Sequence, residues 1–300
     1  MPDPIAVAAS ADLATGELIT HGADEESPEG ESDRGRGRAG FSAYAASPLV
    51  LRIVSVVVVS CVWEIAGRTD PTFMSYPSAV ARTAREVLFV EDELREAFRL
   101  TLWGFVSGYV IAVAISLVIG FLMGRSRVAD IALRPYVNAF YATPRIALIP
   151  ILILFVGIGY KLRVTIVVLS AIFPMIITIR NGARAVADEY LDVARSFVAS
   201  EWQTWRTTVM PGSLAFVFAA LRMGAQRALV GIIVAETLAA LTGTGRLISD
   251  YGQFFQTDKL LVPVIIIGFF SIALTSAINR VHRLAAPWQR PRQRTAKGQG

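Results

Sequence analysis

Long apolar stretches alternate with short polar segments between residues 49 and 284. Because an α-helix rises about 1.5 Å per residue, about 20 apolar residues cross the roughly 30 Å hydrocarbon core of a bilayer. Six stretches approach this length: 49–66, 102–123, 140–156, 164–179, 214–240 and 261–278. The third and fourth are short and contain Pro144, Pro150 and Pro174, so we expect helices there that are kinked or tightly surrounded by protein. The pattern predicts an all-α polytopic membrane protein with about six transmembrane helices.

The composition argues against an ordinary water-soluble enzyme. Hydrophobic residues make up 54% of the chain and charged residues 18%, and the mean hydropathy is +0.51. Soluble domains carry about 25% charged residues. The only cysteine, Cys61, excludes an internal disulfide and is expected to be a small buried residue in the first apolar stretch. The two histidines lie in terminal segments, which excludes a histidine-based metal site or hydrolase triad in the membrane domain.

Charge divides the chain into three parts. Residues 1–46 contain nine acidic residues, three arginines and few large apolar side chains, which predicts a disordered acidic tail. Residues 47–284 form the predicted transmembrane domain, and residues 285–300 a basic tail. If both termini are cytoplasmic, the inner segments hold 16 of the 29 Lys and Arg residues and the outer segments nine. This bias favours cytoplasmic termini in a multi-pass plasma-membrane protein.

Two polar connections have helical patterns of their own. In the segment 67–101, Pro77 and Ser78 begin a pattern that puts Val80, Ala84, Val87 and Leu88 on one face, which predicts an amphipathic helix. The 183–212 loop lies between the fourth and fifth apolar stretches. There Ser200 and Gln203 match a capping box, so a second short helix should begin at that point. It should carry Trp202 and Trp205 on one side and stop at Pro211-Gly212, giving a short helix–turn–helix.

A helix–turn–helix could insert into DNA or dock on a partner protein. Nucleic-acid binding needs clustered cations. The 183–212 loop instead contains three arginines against four acidic residues: Arg184, Arg195 and Arg206 against Asp188, Glu189, Asp192 and Glu201. We therefore expect no nucleic-acid partner, and interpret the loop as a docking element with an apolar and aromatic face.

The loop resembles the EAA loop of permease subunits of bacterial ABC importers. Asp192 takes the place of the family's Glu, Ala194 that of its second Ala, and Val198 that of its Gly. Thr208 takes the Ile place and Met210-Pro211 the Leu-Pro place, with the spacing to Pro211 kept. The residues 144–150, 155–159, 220–222, 235–236 and 243–248 are similar to motifs of the nitrate, sulfonate and taurine branch, and the resemblance extends over most of residues 49–284.

The resemblance implies a type I ABC importer permease fold that is not itself an enzyme. It implies two permease copies, most simply a homodimer, with ABC ATP-binding subunits and an extracytoplasmic substrate-binding protein. The residues implied in contact with the ATPase are Asp192, Val193, Ala194, Arg195, Ser196, Phe197, Val198 and Pro211. The chain has no GxxxxGK[ST] motif and we expect no cofactor, so ATP hydrolysis is expected in the partner subunit.

Polar groups in the fifth apolar stretch are candidates for the translocation path: Arg222, Gln226, Arg227 and Glu236. Charged groups deep in a membrane face protein or a water-filled cavity. They could attract an anion such as nitrate or a sulfonate, or form structural ion pairs with Glu64 or Glu236. The spacings Gly104-xxx-Gly108 and Gly120-xxx-Gly124 predict close helix packing.

Two alternatives to this assignment remain. A polytopic membrane enzyme without an ATPase partner is the first, although the sequence has no HExxH or GxSxG motif and no intramembrane carboxylate pair. The second is the same permease fold with a heterocyclic substrate such as a thiamine precursor.

Overall fold

The computed structural model describes residues 48–69, 74–89, 92–186, 193, 196–239 and 242–287. The predicted N-terminal tail and nearly all of the basic C-terminal tail lie outside these residues. Contacts divide the chain into two units, 1–57 and 58–300, and the described part of the first is the opening ten residues of one helix. The described residues contain nine main helices and no strand. They are α1 Pro48–Thr69, α2 Pro77–Phe89, α3 Asp92–Arg125, α4 Arg127–Ala142, α5 Ile149–Val156, α6 Tyr160–Arg184, α7 Leu214–Ala239, α8 Thr244–Gln253 and α9 Thr257–Ala285.

Helices α3 and α6 form the most extensive contact of the bundle, along a row of small residues on α3. This row recurs every four residues and consists of Gly104, Gly108, Ala112, Ser116, Gly120 and Gly124. A Cβ atom added at Gly108 would lie 2.6 Å from Cβ of Val167, and one at Gly120 would lie 2.8 Å from Cβ of Ile179. The two helices therefore approach too closely for any side chain at Gly108 or Gly120. The close packing expected from the two glycine pairs is confirmed.

The same contacts show that α3 and α6 run parallel. Gly108 faces Val167, and twelve residues later Gly120 faces Ile179. The chain must therefore return along the full length of α3 between Arg125 and Tyr160. Helices α4 and α5 make this return as a pair bent by 90°. The short 3₁₀ turn Arg145–Leu148 lies between them. Together with the five straight helices long and apolar enough to cross a membrane, the bent pair gives six spans.

The third span differs from its predicted form. The apolar stretch suggested one kinked helix over 140–156, but the helical return begins at Arg127 and turns sharply at Thr143 and Pro144. Thr143 and Pro144 both have an extended backbone. For Thr143 this follows from its position before a proline, which disfavours helical geometry in the preceding residue. Helix α4, the first half of this span, was not recognised in the sequence because it contains charged residues. One of them, Asp130, is paired with arginines in the folded chain.

The other helices follow the sequence pattern closely. Helix α7 packs antiparallel to α6, with Gly231 against Ser170 and Gly224 against Met175. Helix α2 is the predicted amphipathic helix and buries Val80 and Val87, whereas Leu88 is exposed. Cys61 on α1 is exposed, so the expectation of a buried cysteine is wrong. In a membrane-spanning helix an apolar side chain needs no protein cover, because lipid serves as its apolar surroundings.

Candidate functional site

The second half of the 183–212 loop is a rigid, capped structure. The Ser200 hydroxyl accepts a hydrogen bond from the Gln203 backbone N–H at 3.3 Å, and the Gln203 side-chain oxygen accepts one from the Ser200 N–H at 2.8 Å. This reciprocal pair is the predicted capping box. The helical turn Glu201–Thr204 then passes through a π-helical turn, Trp205–Val209, to the last turn, Met210–Gly212.

Aromatic and charged contacts fix this part of the loop against α3. The Trp202 and Trp205 rings stack with centroids 5.6 Å apart, as their predicted placement on one side requires. Trp205 in turn meets Phe121 of α3 edge-on at 5.3 Å. A nitrogen of Arg125, the last residue of α3, lies 3.6 Å from a Glu201 carboxylate oxygen. The second half of the loop therefore contacts α3 through one aromatic pair and one ion pair.

The described tip of the loop presents apolar side chains to its surroundings. Phe197 is 82% exposed and Val198 91% exposed, and Val193 and Trp202 are also more than half exposed. Ser196 lies beside them and is exposed. Pro211 is half-buried at the base of the loop, where it occupies the first turn of Met210–Gly212. The remaining candidates of this set, Asp192, Ala194 and Arg195, lie outside the described residues.

Val198 has an unfavourable backbone conformation. Its φ is 56°, in the left-handed region. Glycine adopts this region readily, whereas a β-branched residue there is strained. Val198 is the residue that occupies the Gly place of the resemblance, so the backbone turn expected of a glycine is present without the glycine.

An ionic cluster lies at the end of α6 that leads into the loop. Asp130 of α4 is fully buried and pairs with three arginines, Arg134, Arg180 and Arg184. Arg180 Nη2 donates to Asp130 Oδ2 at 2.9 Å, and Arg184 Nη2 lies 3.1 Å from the same oxygen. The cluster fixes α4 to α6 beside the loop. Sequence analysis missed it, because only the Asp130–Arg134 spacing of four residues is visible along the chain.

Apart from the 183–212 loop, a second candidate site is a cavity of about 410 Å³ between the α4–α5 bend, α6 and α7. Arg145 and Arg227 both line it, and we call it the arginine cavity. Among the described residues, no carboxylate lines it. Arg145 was noted in the sequence as part of a motif but not as a site residue. The sequence feature that could have identified Arg145 as a site residue is a charged residue directly after Pro144 in a long apolar stretch.

Only one of the four polar candidates in the fifth apolar stretch reaches this cavity. Arg227 lines it, while Gln226 is exposed and is not among the lining residues. Arg222 donates to the Asn279 side-chain oxygen on α9 at 3.0 Å. Glu64 accepts hydrogen bonds from Ser78 and Arg68, and not from the polar groups of the fifth apolar stretch with which an ion pair was considered.

Glu236 is buried in a polar cluster away from the arginine cavity. Its carboxylate accepts hydrogen bonds from the Thr101 hydroxyl at 2.8 Å and from the Gly245 N–H at 3.0 Å. Arg163 Nη1 lies 3.4 Å from it. The Thr244 N–H donates to the Thr101 hydroxyl at 2.9 Å. The cluster joins α3, α6, α7 and the start of α8. Its arginine is Arg163 of α6, not one of the arginines of the fifth apolar stretch that the ion-pair alternative considered.

Comparison with known proteins agrees with this architecture. The family described as "Binding-protein-dependent transport system inner membrane component" matches residues 94–291. The putative aliphatic sulfonates transport permease protein SsuC of Bacillus subtilis is 26% identical, over 77% of this chain and 85% of that protein. The taurine transport system permease protein TauC of Escherichia coli is 23% identical, over 80% of this chain and 90% of that protein.

Solved structures share the fold. A chain of the inward-facing MetNI methionine ABC transporter, in its CY5 native crystal form, superposes with a TM-score of 0.54. The match covers 67% of this chain and 98% of that chain at 16% sequence identity. The helical architecture is therefore that of type I ABC importer permeases, as expected from the sequence.

Proposed function

The chain belongs to the family of binding-protein-dependent transport system inner membrane components, and on this premise we propose that it is the transmembrane permease subunit of an ATP-driven ABC import system. It carries the translocation path, and ATP is hydrolysed in a separate subunit. An extracytoplasmic binding protein delivers the solute to it.

The exposed tip of the 183–212 loop is the observation that carries this proposal. Phe197 and Val198 are almost fully exposed at a position where no lipid tail would cover them if the loop projects from the membrane. An apolar face of this kind binds in a groove of a partner protein. We assign the contact with the ATP-binding subunit to Asp192, Val193, Ala194, Arg195, Ser196, Phe197, Val198 and Pro211.

The contacts of the loop explain how ATP-driven movement would reach the membrane helices. The loop continues directly into α7, and Trp205 and Glu201 connect it to α3. Closure of the ATP-binding subunits would displace the tip. Because α3 and α6 interlock without room to slide, the displacement turns them as a rigid unit and opens the path to the other side. The path itself lies between this chain and a second permease copy.

The loop lies on the cytoplasmic side in this proposal, with both chain termini on that side too. The six spans derived from the parallel α3 and α6 are consistent with termini on one side. The excess of Lys and Arg in the segments on the loop side supports the same orientation.

We propose that the solute is a small sulfonate, taurine, nitrate or a related compound. The named functions of the two similar permeases support a sulfonate or taurine, and the resemblance of the sequence to the nitrate, sulfonate and taurine branch supports nitrate. The positive charge of Arg145 and Arg227 in the arginine cavity supports an anionic solute. A membrane enzyme that acts without an ATPase is not favoured, because residues 94–291 match a family of transport-system membrane components.

Co-purification tests the proposal. The permease is expressed together with the ATP-binding subunit of its transport system and purified by a tag on the permease. We expect the ATPase to co-purify with the wild-type chain, and Phe197→Glu to reduce its recovery at least fivefold. Phe254, exposed at the far end of the bundle, is the matched control, and Phe254→Glu should leave recovery unchanged. Equal recovery with both variants would overturn the assignment of the tip.

A further inference from the structure

The arginine cavity owes its shape to a bend and a close helix approach. The 90° turn between α4 and α5 moves the chain aside, and a Cβ at Gly231 of α7 would lie 2.8 Å from Cβ of Ser170, so α6 and α7 nearly touch at its floor. Along α7, Arg227, Val230, Gly231 and Val234 line the cavity. Their spacing of three and four residues places them on one helical face. The cavity is thus a built space with both a charged and an apolar wall.

Arg145 is held in place but has binding capacity left. Its Nη1 donates to the Ser170 carbonyl oxygen at 3.1 Å, which orients the guanidinium. Its Nε is buried and has no hydrogen-bond partner in the described structure. Buried donors in folded proteins are nearly always paired, so this unpaired donor leaves part of the hydrogen-bonding capacity of the guanidinium unused.

The charge of the second arginine is also uncompensated. Arg227 lies 13 residues into α7, about 20 Å from its first residue by helical rise. Its side chain is exposed in the single chain, and no carboxylate among the described residues lines the cavity beside it. The Arg145 guanidinium lies 5.9 Å from the centroid of the Tyr141 ring, a contact that leaves its positive charge without a carboxylate partner in the cavity. Cationic residues of this kind within a membrane-spanning bundle mark ion or substrate paths.

We infer that Arg145 and Arg227 together form an oxyanion subsite in the translocation path, which selects solutes that carry a sulfonate or a similar planar or tetrahedral oxyanion group. This inference rests on the proposed transport function and names the side chains that would bind the solute. It places the anionic group between the two guanidinium groups, and the carbon chain of the solute on the wall formed by Val230 and Val234.

The chemistry of the two side chains fits this ligand. A guanidinium presents a planar fork of N–H donors that pairs with two oxygens of an oxyanion at once. A volume of about 410 Å³ accommodates a small organic anion, since small-molecule sites occupy about 300–1,000 Å³. A neutral or cationic heterocycle would leave both arginines unpaired, so this subsite disfavours thiamine precursors.

Charged thiol reagents test the subsite without requiring transport. Val230 lines the cavity and is exposed, and Val230→Cys is introduced into the full chain after the exposed Cys61 is changed to serine. The reaction rates of anionic sulfonatoethyl and cationic trimethylammonioethyl methanethiosulfonate are each divided by the rate with a small free thiol. We expect a normalised preference for the anionic reagent of about tenfold, because a site with uncompensated charge concentrates the opposite charge.

Neutralising variants supply the decisive comparison. The double variant Arg145→Gln, Arg227→Gln should bring the normalised ratio close to one. Arg246→Gln, which removes an exposed arginine of α8 that pairs with Asp250, should leave the ratio unchanged. A ratio near one in the parent chain, or a preference that survives the double variant, would overturn the subsite.

Uptake by the complete complex provides a second, separable measurement. With ethanesulfonate as the probe, Arg227→Gln should raise KM at least tenfold, and Arg227→Lys should restore part of the loss. An unchanged KM in Arg227→Gln would contradict the subsite while leaving the permease function intact. Absence of ATP-driven uptake by the wild-type complex with every anion tried would contradict the proposed function, and the thiol-reagent result would still decide whether the cavity prefers anions.

Discussion

Replacing Val198 with glycine should stabilise the tip of the 183–212 loop. The φ of 56° costs a residue with a Cβ atom about 1–2 kcal/mol, and glycine does not bear this cost. The Val198 side chain is 91% exposed, so its removal sacrifices almost no burial. Glycine also gains freedom in the unfolded chain, which offsets up to about 1 kcal/mol. Taking the middle of each range, a strain of about 1.5 kcal/mol and an entropic offset of about 0.75 kcal/mol, the expected net gain in the local stability of the tip is about 0.75 kcal/mol.

Hydrogen exchange in the reconstituted permease measures this gain. The amides to follow are those that are hydrogen-bonded on either side of the turn: Phe197 to the Val193 carbonyl at 3.3 Å, and Thr204 to the Ser200 carbonyl at 2.9 Å. Since about 1.4 kcal/mol corresponds to a tenfold change in an equilibrium constant, exchange at these amides should slow by roughly two- to fivefold.

The variant Val198→Ala is the matched control. Alanine keeps the Cβ atom that causes the strain, so its exchange should change by less than about twofold, the lower limit of the range expected for glycine. Faster exchange in Val198→Gly than in the wild type, or equal slowing in both variants, would refute the view that the loop holds a strained backbone at this position.

Three further substitutions test the packing of the bundle, each by the thermal unfolding midpoint in detergent. Gly108→Ala should destabilise by about 1–3 kcal/mol because the added methyl group collides with α6, whereas Gly268→Ala, which meets nothing within 4 Å, should be neutral. Asp130→Asn should lower the midpoint by several degrees, since three arginines lose their shared partner; an unchanged midpoint would contradict the cluster. Thr101→Val should cost about 1.5–3 kcal/mol by removing a hydrogen bond to the Glu236 carboxylate, and a neutral result would show that the other partners suffice.

Local sequence signals predicted those parts of the structure that depend on neighbours along the chain. The capping box at Ser200 and the paired Trp202 and Trp205 are separated by few residues, so one helical geometry specifies their contacts. The glycine pairs of α3 predicted close packing because a residue without a side chain has few other uses in a membrane helix.

Features that depend on distant parts of the chain were not visible in the sequence. Asp130 and Arg180 are 50 residues apart, and nothing local relates the first half of the bent span to α6. Arg145 and Arg227 meet at one cavity only because the bend and α7 converge there. Glu236 is a candidate for the translocation path from its position in the sequence, whereas its contacts with Thr101, Gly245 and Arg163 were not visible there.

ATP-driven uptake in proteoliposomes tests the central claim most directly. The permease is reconstituted with its ATP-binding subunit and binding protein, and accumulation of ethanesulfonate, taurine and nitrate is followed with ATP or with a non-hydrolysable analogue. The account predicts ATP-dependent accumulation of at least one of these solutes by the wild type, its loss in Phe197→Glu, and normal accumulation in Phe254→Glu. Accumulation that does not depend on ATP, or that is unaffected by Phe197→Glu, would contradict a permease driven through the 183–212 loop.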